Sequence, residues 1–476
     1  MPNAPSPSLL ADLESLLGPR GFSREPAELE PWLTDWRGRY RGRAAALLSP
    51  ASTAEVQAIV SRCAAQGVAL VPQGGNTSMV GGATPCGAGT ALLLSLRRMN
   101  RIRSLSTRDN VLVAEAGAIL SQVHEAAMLE GRRFPLSLGA KGSATIGGLV
   151  STNAGGTQVL RFGTMRALVL GLEAVLPDGS LYEGLSALRK DNRGLDLRQL
   201  LIGAEGTLGV VTAASLRLVP AIGSRGVAWI GLASPTQALA LLRDLELRLG
   251  DAVESFELMP AAALHLVLRH IPGTRPPLTG DQPWHVLVEA VAQPAAGDAA
   301  QRLAAALEPA LESGLAADAV VAGSEAQADA LWRVRESIAE AERQEGRAVK
   351  HDISVPVSAM PDFLETAAPL VETRFPGTRV VAFGHLGDGN IHFNVLPPSA
   401  ADPAAWVEAE GASVTGFVHD LVTAAAGSIS AEHGIGQLKR AELARTASPA
   451  LLAAQRAIKA ALDPAGIMNP GKLLPP

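Results

Sequence analysis

The sequence predicts an α+β protein of more than one domain, and three observations carry that expectation. Its 476 residues exceed what one ordinary core serves. Three separated runs rich in Gly, Ser and Thr, joined by short strand-like segments, occupy the first 220 residues. From about Ala221 onward, Ala/Leu-rich helical stretches alternate with short apolar strands.

Composition narrows the class. With 47% hydrophobic and 18% charged residues the chain reads as soluble and globular. A net charge of −5 argues against nucleic acid as a partner, because phosphate neutralisation needs clustered cations. Cys63 and Cys86 have no metal or disulfide spacing and are expected to be buried, inert thiols. The N-terminus lacks the basic start and apolar run of a signal peptide, and no stretch reaches membrane-span length, so a cytoplasmic protein is expected. The chain uses 35 Arg against 6 Lys and only nine Asn. Six of those asparagines and five of the lysines fall inside the motifs below.

After a polar N-terminal helix, Ser52 to Gly67 has a Ser/Thr start, an amphipathic body and a Gly stop, and predicts a helix. A short strand follows, then QGGNTSMVGG, Gln73 to Gly82. Four glycines there permit positive φ and close ligand approach, and such turns gather inward-facing N–H groups that bind phosphate oxygens. It is neither a Rossmann fingerprint nor a Walker loop. A second Gly-rich run covers Pro135 to Thr164, and a third, Leu201 to Thr212, ends in a β-branched strand. Three such runs suggest a long ligand held mainly by backbone amides.

In the second half, helices are expected at Pro235–Leu249, Asp298–Gly314 and Ala326–Arg347, with strands at WHVLVEAV, AVKHDISVP and VVAFGHL. VVAFGHL and IHFNVLP flank Gly387-Asp388-Gly389-Asn390, a hairpin signal. A loop of those four residues puts His385 directly across from His392, side chains about 5 Å apart, with Asn394 on the same face. Two imidazoles so placed begin a metal site; the alternative is two hydrogen-bonded histidines on a half-buried sheet. Glu432-His433 offers a further ligand, provided that Gly434 and Gly436 let the chain bend. Arg335 lies at the edge of a helical apolar face, where an arginine usually snorkels to solvent.

In order along the chain, PQGGNTSMVGG, GAKGSATIGG, STNAGG, RKDNRGLDLRQLLIGAEGTLGVVT, FGHLGDGNIHFNV, AEHGIGQLK and NPGK resemble the vanillyl-alcohol oxidase/p-cresol methylhydroxylase flavoproteins. The likeness is nearest to the branch holding D-2-hydroxyglutarate dehydrogenase and cytochrome-type D-lactate dehydrogenases, and runs from about Arg43 to Lys472. It implies an N-terminal helical segment (1–42), a PCMH-type FAD-binding domain (43–220), a substrate-binding cap domain (221–425) and a C-terminal segment (426–476) returning to the flavin.

By the same resemblance, FAD is held by Pro72, Gly74, Gly75, Asn76, Thr77 and Ser78 in the first loop. Gly139, Gly142, Ser143, Thr145, Gly148, Asn153 and Gly155 in the second run, Glu205, Gly209 and Val211 in the third, and Asn469 near the C-terminus complete the set. Asn76 stands where some relatives attach flavin through His, so the flavin is expected to be non-covalent. His385, His392 and Glu432 match ligands of a divalent metal, zinc or manganese; His433 matches the catalytic base and a substrate ligand; Arg335, Lys350 and Asn394 match substrate-carboxylate ligands. A threonine common in 2-hydroxyglutarate enzymes, four residues after the arginine, is Ala339 here.

The implied reaction is oxidation of a D-2-hydroxy acid to the 2-oxo acid, with hydride passing to the flavin and electrons on to an external acceptor. 2-Hydroxyglutarate is the first choice of substrate, then lactate or malate; the acceptor is an electron-transferring flavoprotein, a cytochrome or a quinone. A dimer is the default assembly. The alternatives are an oxidase of the same fold that passes electrons to oxygen, and a zinc hydrolase using the same His/Glu set.

Overall fold

A computed structural model describes residues 2–475, which form two compact units. The first comprises residues up to Gly156, Phe162–Ala221 and Glu432 onward; the second comprises Thr157–Arg161 and Ile222–Ala431. These limits differ from those expected. Residues 1–42 are not a segment apart: Leu9, Leu13 and Leu17 of the helix Pro7–Leu17 pack into the same core as Val56, Ile59 and Leu92. Thr157–Arg161 joins the second unit because Glu254 there holds it, with its carboxylate 2.6 Å from Gln158 Nε2 and 3.0 Å from Arg161 Nη1.

In the first unit, a four-stranded sheet orders Phe22–Ser23, Ala46–Leu48, Leu92–Ser95 and Leu70–Gln73, all parallel except the first pair. The predicted helix is Thr53–Gln66, capped by the Ser52 hydroxyl at one end and by left-handed Gly67 at the other. A five-stranded antiparallel sheet orders Ile102–Ser106, Val111–Glu115, Val210–Arg217, Val169–Val175 and Leu181–Gly184. The C-terminal segment closes on the smaller sheet: Leu70 N donates to Ile467 O and Asn469 N to Leu70 O, each at 2.8 Å. Cys63 is buried, and burial pushes its thiol up to about 12. Cys86 is exposed, contrary to expectation, because it lies in the loop between the first Gly-rich run and the strand Leu92–Ser95.

The second unit is built on a seven-stranded antiparallel sheet in the order Asp318–Val321, Ser224–Leu232, Trp284–Ala292, Val253–Pro260, Arg379–His385, Asn390–Leu396, Val349–Ser354. Side chains alternate between its faces. One face, with Ile391, Phe393 and Ile353, makes a core with the helices Pro235–Leu249, Ala299–Glu312 and Met360–Arg374. The other, with Trp229, Met259 and Phe383, packs on Ala261–His270, Glu325–Glu336 and Ile338–Gln344. The last two were expected as one helix, Ala326–Arg347, but the chain breaks at Ser337, a weak helix former that ends one helix and opens the next. No helix among the described residues is long and apolar enough to cross a membrane.

Candidate functional site

In the first unit the Gly-rich runs meet around a cavity of about 560 Å³. Pro72, Gly74, Gly75, Asn76, Thr77 and Ser78 line it from the first loop. Gly139, Ser143, Thr145, Gly148 and Gly155 line it from the second run, and Glu205, Gly209 and Val211 from the third. The loops touch backbone to backbone: a Cβ on Gly75 would lie 1.9 Å from the Ser143 carbonyl oxygen, so only glycine fits. Asn76 takes a left-handed backbone, φ +53°, and donates from Nδ2 to Thr34 O at 2.8 Å. Gly142, Asn153 and Asn469 do not reach the cavity wall. Asn153 and Asn469 support it: Asn153 Oδ1 accepts from Arg166 N, and Asn469 Nδ2 donates to Gly82 O and Glu205 O. Trp36, which sequence reasoning did not single out, also lines the cavity; it lies outside the Gly-rich runs, where no motif marks it.

Glu432 and His433 stand on the same wall. Their segment bends as the glycines allow, with Gly434 at φ +79° and Gly436 at φ +52°. Glu205 pins the bend, its two carboxylate oxygens each accepting a backbone N–H at 2.7 Å, from Ile435 and Gly436. Burial pushes the pKa of Glu205 up, and those two N–H groups pull against the rise. A cavity of this size, walled by glycine backbone, fits a long phosphate-bearing cofactor such as FAD.

In the second unit the hairpin register is two residues from the expected one. His385 pairs with Asn390, and His392 with Phe383. The loop starts one residue early, at Leu386, because Gly389 (φ +80°) turns its N–H onto the His385 carbonyl at 3.0 Å. A two-residue shift preserves side-chain parity, so both imidazoles still leave one face. They are diagonal neighbours, ring centroids 5.6 Å apart and interplanar angle 79°. Asn394 shares that face, as do Lys350 and Asp352, which pair with Asn394 and His392 from the adjacent strand.

Buried carboxylates organise this face. Glu257, opposite His385, is fully buried and reaches His385 Nδ1 at 2.6 Å. Its other oxygen accepts from Arg335 Nε at 2.9 Å, with Nη2 at 2.7 Å. Burial alone would raise the pKa of Glu257; the charges of His385 and Arg335, with their hydrogen bonds, outweigh that and draw it to about 2. Arg335 is therefore buried rather than snorkelling, its guanidinium 4.9 Å over the Phe383 ring. Glu342 holds Lys350 Nζ at 2.8 Å and Asn394 Nδ2 at 2.8 and 2.9 Å. Asp352 Oδ1 lies 3.9 Å from His392 Nδ1 and accepts from Asn390 Nδ2 at 3.0 Å.

A His whose Nδ1 faces a buried carboxylate presents Nε2 as its lone-pair atom, the arrangement of metal-binding imidazoles, so this donor chemistry fits zinc or manganese. Glu257 and Glu342 were not singled out from the sequence, although each left a trace there. Both are acids at apolar-patterned positions, Glu257 inside the strand VESFELMP and Glu342 four residues after Ile338.

Residues 44–184 match an FAD binding domain, and residues 224–473 match the C-terminal domain of FAD linked oxidases. The chain is 40% identical over 471 residues to mitochondrial D-2-hydroxyglutarate dehydrogenase of Bos taurus, covering 98% of this chain and 83% of that protein. It is 42% identical over 454 residues to D-2-hydroxyglutarate dehydrogenase of Xanthomonas citri pv. viticola, covering 94% of this chain and 93% of that protein. Among solved structures, p-cresol methylhydroxylase with substrate bound shares the fold, with TM-score 0.75 and 16% identity over 98% of this chain and 96% of that one.

Proposed function

Because the chain belongs to the FAD linked oxidases, we propose that it is a dehydrogenase that oxidises a D-2-hydroxy acid to the 2-oxo acid using non-covalent FAD and a divalent metal. One observation carries the reading furthest: Glu432 and His433 stand on the wall of the cavity that the glycine runs enclose. A base beside a flavin cradle suits removal of hydride from a carbon bearing a hydroxyl. The relatives' named substrate, 2-hydroxyglutarate, belongs to this class, as do lactate and malate.

Bound FAD supplies the two-electron acceptor, and zinc or manganese supplies Lewis acidity at the substrate hydroxyl. His385, His392 and Glu432 are the ligands proposed for the metal. Glu257 fixes the His385 tautomer and ring orientation. Neutral His433 accepts the hydroxyl proton at C2, while Glu205 holds the backbone just after it in place. Electrons then leave to an electron-transferring flavoprotein, cytochrome or quinone.

The test is anaerobic mixing of the flavoprotein with D- and L-forms of 2-hydroxyglutarate, lactate, malate and 2-hydroxybutyrate while the flavin absorbance is followed. Bleaching by D-acids alone, lost on chelation and restored by zinc or manganese, is expected. A yellow protein that no 2-hydroxy acid bleaches would overturn the reading. Hydrogen peroxide formed in air as fast as substrate is consumed would make the protein an oxidase.

A further inference from the structure

Glu342 is a charged residue at a position that the helix pattern reserves for the core. The helix Ile338–Gln344 buries Ile338, Ala341 and Glu342 on one side, the spacing of an apolar stripe. Glu342 is 1% exposed, and both its oxygens are engaged by Lys350 and Asn394. A buried carboxylate is tolerated only when paired in this way. The second cation of the face, Arg335, is matched in the same manner by Glu257. Two cations thus meet two buried carboxylates, and Asp352 adds a third acid beside His392. No excess of cations over buried acids remains for a distal substrate carboxylate, and Ala339, on the same helix, brings no hydroxyl to replace it.

We propose that Glu342 occupies the role of a diacid's distal carboxylate, so that the preferred substrate is a D-2-hydroxy acid with an uncharged tail. This rests on the D-2-hydroxy-acid reading above and narrows it. The Lys350–Glu342–Asn394 set favours a neutral polar or short apolar tail, whereas a second carboxylate beside Glu342 is repelled by a like charge in a water-poor setting.

The deciding comparison is D-2-hydroxyglutarate against its 5-amide, which keeps the length and removes the tail charge, with D-2-hydroxybutyrate as the short apolar case. The holoenzyme is expected to favour the amide over the diacid in kcat/KM by at least about 10-fold. Glu342→Leu and the near-isosteric Glu342→Gln should each move that ratio toward the diacid by at least about 10-fold. Flavin content and spectrum identify which variants are folded, and Glu342→Gln carries the test if Glu342→Leu does not fold. Wild-type preference for the diacid overturns the proposal, and so does a ratio that folded variants leave unchanged. No bleaching by any of the three acids overturns this inference, whereas the class reading falls only if D-lactate and D-malate also leave the flavin unbleached.

Discussion

Removing the Glu205 carboxylate should uncouple His433 from the cofactor cavity without dismantling the cavity. The side chain accepts two N–H bonds at 2.7 Å, from Ile435 and Gly436, two and three residues beyond His433. A hydrogen bond contributes about 0.5–1.5 kcal/mol net, so Glu205→Ala should free the segment by roughly 1–3 kcal/mol. The backbone of residue 205 keeps its own partners, since its N–H donates to Ser151 O and its C=O accepts from Asn469 Nδ2. With that order lost at His433, the proposed base, turnover is expected to drop about 10- to 100-fold, at a factor of ten per ~1.4 kcal/mol. Glu205 also has φ +50°, a conformation that costs a non-glycine residue roughly 1–2 kcal/mol. Glu205→Gly should therefore be more stable than Glu205→Ala by about 1 kcal/mol while losing the same activity. Amide exchange at Ile435 and Gly436, read alongside turnover and flavin content, is the assay. Unchanged amide protection and wild-type turnover in both flavin-bound variants would refute the reasoning.

Three further outcomes are expected. Glu257→Gln leaves Arg335 buried beside an uncharged partner, and breaking a buried pair costs about 3–5 kcal/mol, read as a lowered midpoint in denaturant. The same change loosens His385 and, at the metal site proposed above, should weaken zinc binding about 10- to 100-fold, measured by competition with a chelator. Lys472 is 3% exposed, and burial draws its pKa from 10.5 down to about 8. Between those values the unfolded chain holds a proton that the folded protein has lost, so the stability of the flavin-free protein should rise from pH 8 to 10.5. Denaturant midpoints across that range would show it, and Lys472→Met should abolish that part of the slope.

The two ion pairs also explain how a polar surface can form inside this unit. Each acid on the histidine-bearing face sits opposite, or one strand away from, a group that meets it: Glu257 opposite His385, and Asp352 opposite His392. Glu342 descends onto the same face from a helix. A charge without its partner there would carry the desolvation cost alone. Changing one member of a pair, as in the Glu342 variants that test the proposed substrate preference, leaves the other member to carry that cost.

The sequence by itself determined much of this protein. Ser52 and Gly67 mark the ends of a helix because a hydroxyl cap and a left-handed stop are local chemistry. The scarcity of asparagine proved informative for a physical reason: Asn76, Asn110, Asn153 and Asn469 all take positive φ, a backbone that asparagine tolerates better than most residues. Side-chain parity in the hairpin was equally local, since any even shift leaves His385 and His392 on one face. Tertiary structure decided the register itself, which Gly389 set by turning its N–H back onto His385. It also decided the partners of the expected substrate ligands. Arg335 and Lys350 read as cations awaiting a carboxylate, but Glu257 and Glu342, 78 and 8 residues away in sequence, already meet them. Pairings of that kind depend on which strand lies beside which and on where a helix lands, and no local pattern of residues encodes either.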